Sequence, residues 1–368
     1  MHVESIRLKC FKKFRDDLLD FTDRETGLAR PLVVLVGDNG SGKSTILQAI
    51  AATLGTATRR LHEPADLEWP GFDLGLAGNA WSLPPEVTLR VGFSDVELNA
   101  TVEFFEKAPG LGDRSAMVAP SRDPSVTLTL REGHVRAATG PQYFQFRGRE
   151  YAKQILKLVE EGHRVFERVG TVFWYTEHRT ATSLTAETTV SPNDMGDSSR
   201  NSGHLQYDEN LLRRRLADLM QFHSRLERGE YQLRPGQRDL FADIERAYAT
   251  VFPYRRFDGP VPRSDIDEVL SEPWFFLYDG LHQYELSEMS GGERAIFPLI
   301  FDFANWQINN SVILVDEIEL HLHPPLQQAL IRALPDLGRN NQFIITSHSD
   351  WIVQHVPPEC VYRLERTP

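Results

Sequence analysis

The octapeptide Gly37-Asp38-Asn39-Gly40-Ser41-Gly42-Lys43-Ser44 fits the pattern G-x-x-x-x-G-K-[ST] without a mismatch. Glycines at these positions let backbone N–H groups close around a polyphosphate, and the N-terminus of a following helix adds partial positive charge. Lys43 can then reach the β- and γ-phosphates and the Ser44 hydroxyl can coordinate Mg²⁺. An ordinary Gly-rich turn has no need of Lys-Ser at this spacing. Far downstream, the apolar run Val312 to Val315 delivers two adjacent carboxylates, Asp316 and Glu317. Side chains at neighbouring positions diverge, so the two divide the work: Asp316 suits the Mg²⁺ shell and Glu317 the polarisation of an attacking water. A third element, Met289-Ser290-Gly291-Gly292-Glu293-Arg294, opens an apolar helix containing Ile296, Leu299, Ile300 and Phe303. Bare Gly-Gly ahead of a helix makes a second anion-binding N-terminus, with the Ser290 hydroxyl as an extra donor.

These groups need rigid elements to hold them. Leu32 to Val36 reads as a strand buried on both faces of a mostly parallel sheet, and Ile46, Leu47, Ile50, Ala51 and Leu54 recur at helical spacing after it. The apolar residues between Val3 and Phe21 predict two short strands with a turn near Lys12-Lys13. From Glu86 to Ala137 short alternating runs, Val96-Leu98 among them, predict an antiparallel sheet, with a Gly/Pro/Ser-rich loop from Ala108 to Pro124. Tyr151 to Val169 reads as helical, Thr171 to Tyr175 as a buried strand, and Thr180 to Gly203 as a polar loop or lid. Leu205 to about Tyr254 predicts a helix pair whose reach, about 30 to 40 Å at about 1.5 Å per residue, excludes a long coiled-coil arm. Strands at Trp274 to Tyr278 and Gln283 to Leu286 follow. A helix from Gly292, the strand Ser311 to Val315, a helix from Pro325 and the strand Gln342 to Thr346 complete the chain. The expected fold is therefore α/β: a P-loop ATPase core with a mostly parallel sheet, an antiparallel β subdomain and a short helical insertion. The expected divisions are residues 1–179 (first lobe), 180–203 (loop), 204–283 (helical insertion and linker) and 284–368 (second lobe).

Composition sets outer bounds. A chain of 368 residues predicts about two domains, or one large domain with insertions. Its 40 Lys and Arg against 52 Asp and Glu leave a net charge of −12, which argues against a surface that clings everywhere to nucleic acid. Two cysteines, Cys10 and Cys360, are too few and too far apart for a disulfide framework or a cysteine-rich zinc site. No apolar run approaches the roughly 20 residues of a bilayer span, and the N-terminus is charged where a signal peptide is apolar. A cytoplasmic protein with no membrane contact is expected.

The three chemical elements together resemble the ABC-type ATPases, and within them the RecF/SMC/Rad50 and OLD-like branch of DNA repair and phage defence. The likeness is carried by Ile6-x-Leu8-x-x-Phe11-x-x-Phe14 ahead of the phosphate loop, Ser290-Gly291-Gly292-Glu293, Asp316-Glu317-Ile318-Glu319-Leu320-His321-Leu322-His323-Pro324, and Ile344 to Ser349 with His348. It covers roughly residues 1–55 and 284–364. It implies ATP and Mg²⁺ as cofactors, with Asn39, Gly40, Ser41, Gly42, Lys43, Ser44 and Thr45 around the nucleotide and Ser44 and Asp316 at the metal. Glu317 becomes the general base, Glu319 to Pro324 the loop crossing a dimer interface, and His348 the switch histidine on the γ-phosphate. Ser290, Gly291, Gly292 and Glu293 become the signature that closes over ATP held by another copy. Position 318, often proline in the family, is Ile, and the glutamine loop is open among Gln142, Gln145 and Glu177-His178-Arg179.

The same resemblance implies a homodimer around sandwiched ATP, with further assembly left open, acting on DNA through an effector. The chain ends at Pro368 soon after the last expected core strand, so any nuclease is expected on a separate chain. Residues 205–263 carry 11 Arg against 9 Asp and Glu, which allows a modest DNA-facing surface. Two other readings compete: a nucleotide-dependent protein scaffold that never touches DNA, and the nucleotide-binding subunit of a membrane transporter.

Overall fold

A computed structural model describes residues 1–79, 81, 83–108, 118–156, 162–177, 209–234, 237–262 and 273–365. In chain order the strands are β1 (His2–Phe11), β2 (Phe14–Asp20), β3 (Leu32–Val36), β4 (Glu86–Gly92), β5 (Ser125–Arg131), β6 (His134–Ala137), β7 (Val172–Tyr175), β8 (Arg256–Val261), β9 (Trp274–Tyr278), β10 (Gln283–Glu285), β11 (Val312–Val315), β12 (Gln342–Ser347) and β13 (Val361–Arg363). The helices are α1 (Lys43–Ala57), α2 (Asp95–Lys107), α3 (Gly140–Phe144), α4 (Gly148–Ile155), α5 (Glu209–Glu227), α6 (Leu240–Val251), α7 (Gly291–Trp306), α8 (Pro324–Ala333) and α9 (Asp350–Gln354).

The central sheet runs β13-β3-β12-β11-β7 and every pairing in it is parallel. Strands β3, β7 and β11 and the middle of β12 are apolar because both faces are covered, and the two-residue period of a strand sorts their side chains cleanly. Val33, Leu35, Val172, Val312, Leu314 and Ile344 face one core, shared with α1 and the antiparallel sheet β2-β1-β4-β5-β6. Val34, Val36, Phe173, Tyr175, Ile313, Val315, Phe343 and Ile345 face the other, shared with α6, α7, α8 and the small sheet β10-β9-β8. The α/β architecture expected from the sequence is the one found, and the helical insertion is part of the second core. Leu212 and Leu216 of α5 and Phe241, Ile244, Tyr248 and Val251 of α6 are buried in it with Phe297 and Phe301 of α7.

One expected strand is a helix. Val96-Leu98 was grouped with the antiparallel runs, yet Asp95–Lys107 is α2. Ser94 caps it by accepting from the Glu97 N–H, acids occupy the first turn and Lys107 the last, and Leu98, Thr101 and Phe104 repeat on one buried face. The cap and that three-residue spacing are the signals a reading of alternation overlooks. The expected loop at 180–203 lies outside the described residues, as do His178 and Arg179.

Candidate nucleotide site

The phosphate loop leaves β3 at Gly37 and enters α1 at Lys43, with Gly40 and Gly42 at φ +75° and +95°. Gly42 has no room for a side chain: an added Cβ would lie 2.6 Å from the Phe14 ring. Phe14, from the hairpin of β1 and β2, thus forms the floor of the loop, which explains the apolar spacing ahead of the motif. Lys13 beside it reaches the Gly40 carbonyl at 3.4 Å. Asn39 and Gly40 are exposed, Ser41 is buried, and Ser44 and Thr45 sit half-buried on the first turn of α1. Lys43 folds back, its Nζ donating to the carbonyls of Gly37 (2.9 Å) and Asp38 (3.1 Å). Burial lowers the Lys43 pKa, opposed by the nearby carboxylates of Asp316, Glu317, Glu319 and Asp38.

The two carboxylates stand at the carboxyl end of β11, separated from β3 by β12, where open α/β sheets present ligand sites. Ser44 Oγ donates to Asp316 Oδ1 at 3.0 Å, tying the first turn of α1 to the end of β11. The same oxygen accepts from Thr346 Oγ1 of β12 at 2.6 Å. Thr346 Oγ1 in turn accepts from the Glu317 N–H at 2.7 Å, and the Thr346 carbonyl accepts from the Ile318 N–H at 3.1 Å. Glu317 has φ +46°, left-handed backbone that a non-glycine residue holds only when its surroundings require it. Its carboxyl pKa is raised, first by burial, then by Asp316, Glu177 and Glu319, with His348 opposing. Metal fit follows from the donors: a hydroxyl and a carboxylate within hydrogen-bond distance are two hard oxygen ligands, and phosphates and waters complete such shells for Mg²⁺. Among the described residues no group of three or more His, Cys, Asp or Glu could hold a metal by itself.

His348 follows β12 with its side chain exposed, and its N–H donates to Glu319 Oε1 at 2.5 Å. Of the glutamine-loop candidates, Gln142 bonds Asp123, and Gln145 bonds Ser121 and Asp123, so both serve local packing. Glu177 follows β7, whose Tyr175 carbonyl accepts from the Asp316 N–H at 2.9 Å, and it acts electrostatically on Glu317.

The signature forms the start of α7, with Gly292 packed beside Leu322 and Leu326. Ser290 caps the helix and pairs with Glu293 in a capping box. Ser290 and Gly291 are exposed, and a Cβ on Gly291 would meet nothing within 4 Å among the described residues, whereas one on Gly292 would meet Leu326 at 2.7 Å. Glu293, expected among the nucleotide contacts, turns inward. Its Oε1 accepts from Tyr248 (3.0 Å), Tyr284 (2.5 Å) and Arg255, and its Oε2 from the Ser290 N–H (2.9 Å). Burial alone would raise its pKa, but these donors hold it below the ordinary glutamate range. Helix α6, the α6–β8 loop and β10 thereby fasten the signature turn, a role that local sequence could not show. Among the described residues no helix is long and apolar enough to cross a membrane.

Comparison with known proteins bears on the whole. A family model described as "AAA domain, putative AbiEii toxin, Type IV TA system" matches residues 147–353, and a second, "AAA domain", matches residues 5–105. Protein ea59 of Escherichia phage lambda is 38% identical over 92 residues, covering 24% of this chain and 17% of that protein. The "Retron Ec83 probable ATPase" of Escherichia coli is 34% identical over 89 residues, covering 21% of this chain and 16% of that protein. The alignments thus span less than a fifth of the length of these curated relatives. Among solved structures, the SMC head bound to the C-winged helix domain of ScpA aligns over 97% of this chain and 92% of that one, at 16% identity and a TM-score of 0.49.

Proposed function

Since this chain belongs to the AAA-domain family whose model spans residues 147–353, we propose that it is an ATP-hydrolysing subunit that dimerises around nucleotide and controls an effector. The observation that carries the reading is the 3.0 Å link between Ser44 and Asp316, with Glu317 next in the chain and pinned in left-handed backbone. Lys43 releases its two loop carbonyls and takes up the β- and γ-phosphates, while the loop N–H groups cradle them. Ser44 and Asp316 would hold Mg²⁺, which would supply positive charge against the phosphates. Glu317 accepts a proton from the attacking water, and His348, exposed at the end of the neighbouring strand, reaches the γ-phosphate. The exposed Ser290-Gly291 turn of a second copy supplies N–H and hydroxyl donors to the same phosphate. Cleavage removes the group both copies grip, and the dimer opens.

Glu317→Gln tests this directly. It should lower ATP turnover by at least about a hundredfold, the usual weight of a general base, and yield a dimer that persists with ATP in size-exclusion chromatography. A variant that turns over at the normal rate removes the assigned base.

For the partner, the similarity to a phage protein and a retron ATPase supports a DNA-directed effector in phage defence or DNA repair. A protein-directed reading has its own support. Many arginines of the insertion are spent internally: Arg213 on Glu285, Arg215 on Asn305, Arg238 and Arg246 on Asp243, Arg255 on Glu293, and Arg225 and Arg228 on Glu230. DNA that stimulates hydrolysis in a salt-sensitive way supports the first reading. Hydrolysis indifferent to DNA supports the second.

A further inference from the structure

Thr346 lies within the Ile344 to Ser349 stretch but was given no role of its own there, and it makes three hydrogen bonds to Asp316, Glu317 and Ile318. In the parallel ladder Val315 pairs with Ile345, so Thr346 stands beside Asp316 at the carboxyl end of the sheet. It is fully buried. Its hydroxyl proton goes to Asp316 Oδ1 at 2.6 Å, its hydroxyl oxygen takes the Glu317 N–H at 2.7 Å, and its carbonyl takes the Ile318 N–H at 3.1 Å.

We propose that Thr346 is a positioning residue for hydrolysis: one hydroxyl orients the metal-binding carboxylate and simultaneously holds the base-bearing residue in its left-handed turn. The assignment rests on the hydrolytic reading above. The argument is one of donor and acceptor arithmetic. A hydroxyl has one proton to give and lone pairs to receive. Here the proton aims Asp316 Oδ1, which also receives Ser44, and a lone pair satisfies an N–H that the turn at Glu317 directs away from any regular ladder. Valine has the same shape and neither function, so it leaves the Glu317 N–H without its partner and Asp316 with one donor fewer. The turn then loses a restraint against relaxing out of positive φ, and the Glu317 carboxylate loses its fixed distance to the attacked phosphate. Nucleotide affinity, which depends on the phosphate loop, is separate. Serine retains the hydroxyl and therefore the function.

The test uses the full chain, with ATP turnover for chemistry and binding of a fluorescent N-methylanthraniloyl ATP analogue for affinity and folding. Thr346→Val should lower kcat by at least tenfold while analogue affinity and KM stay within threefold of wild type, and Thr346→Ser should recover kcat to within threefold. A Thr346→Val protein that turns over as wild type, or that loses nucleotide binding along with turnover, overturns the assignment, as does a Thr346→Ser protein no faster than the valine variant. Glu317→Gln run alongside separates the two levels. If wild type and Glu317→Gln are equally inert, the hydrolytic reading fails and the assignment with it; if Glu317→Gln is inert, wild type active and Thr346→Val active, the assignment alone fails.

Discussion

Glu317 is the residue on which pH should act most visibly. Burial and the charges of Asp316, Glu177 and Glu319 disfavour its ionised form, so its pKa lies above the ordinary glutamate value. A base must be deprotonated to work, so turnover should fall as pH drops through that raised pKa. The acid limb of the kcat profile should therefore lie above the ordinary glutamate value. Glu177→Gln removes one of the repelling charges, lowers the Glu317 pKa and should move that limb to lower pH, which a pH series of initial rates will show. An unmoved limb would mean that Glu177 does not act on the base.

At the scale of elements, the joint between α5 and the small sheet is an ion pair. Arg213 Nε and Nη2 donate to the two Glu285 oxygens at 2.7 and 2.9 Å, with both side chains under a tenth exposed. Burial by itself would raise the Glu285 pKa, but Arg213, Ser287 and the Phe275 N–H hold it at about 2. Arg213→Ala strands a buried carboxylate and should cost about 3 to 5 kcal/mol in urea unfolding, whereas replacing both partners by apolar residues of similar volume should cost far less. Because the folded pKa is depressed, the pair's contribution is present above the unfolded value of about 4.3 and is lost as pH falls toward 2. The stability gap between wild type and the apolar double variant should shrink over that window. Arg213 is one of the 11 arginines of residues 205–263, and its pairing partner is 72 residues away, beyond any local pattern.

For the molecule as a whole the decisive question is assembly. Phosphate loop and signature turn both lie on the surface, and an added methyl on Gly291 would meet nothing within 4 Å among the described residues. Gly291→Ala should therefore fold with unchanged thermal stability and bind nucleotide as a monomer, yet obstruct a phosphate arriving from another copy. The expected result is loss of the ATP-dependent dimer in sedimentation velocity, with turnover down on the order of a hundredfold from misplacement across the interface. An alanine variant that dimerises and hydrolyses normally would place the signature turn away from the nucleotide.

Much of this was legible in the amino-acid order alone, because the residues concerned are neighbours in the chain. Gly37 to Ser44 specify a loop by backbone freedom and one lysine, and apolar runs such as Val312 to Val315 specify strands covered on both faces. Helix α2 is equally local in its signals, a cap at Ser94 and a three-residue spacing of Leu98, Thr101 and Phe104, which a reading of Val96-Leu98 as alternation passes over. Tertiary structure alone decided the rest. Thr346 meets Asp316 because β12 lies between β3 and β11, and Glu293 turns inward because Tyr248, Arg255 and Tyr284 converge on it from an insertion with its own connectivity. Hydrogen bonds across sheet order leave no period or spacing in a sequence, since the partners share space and not separation.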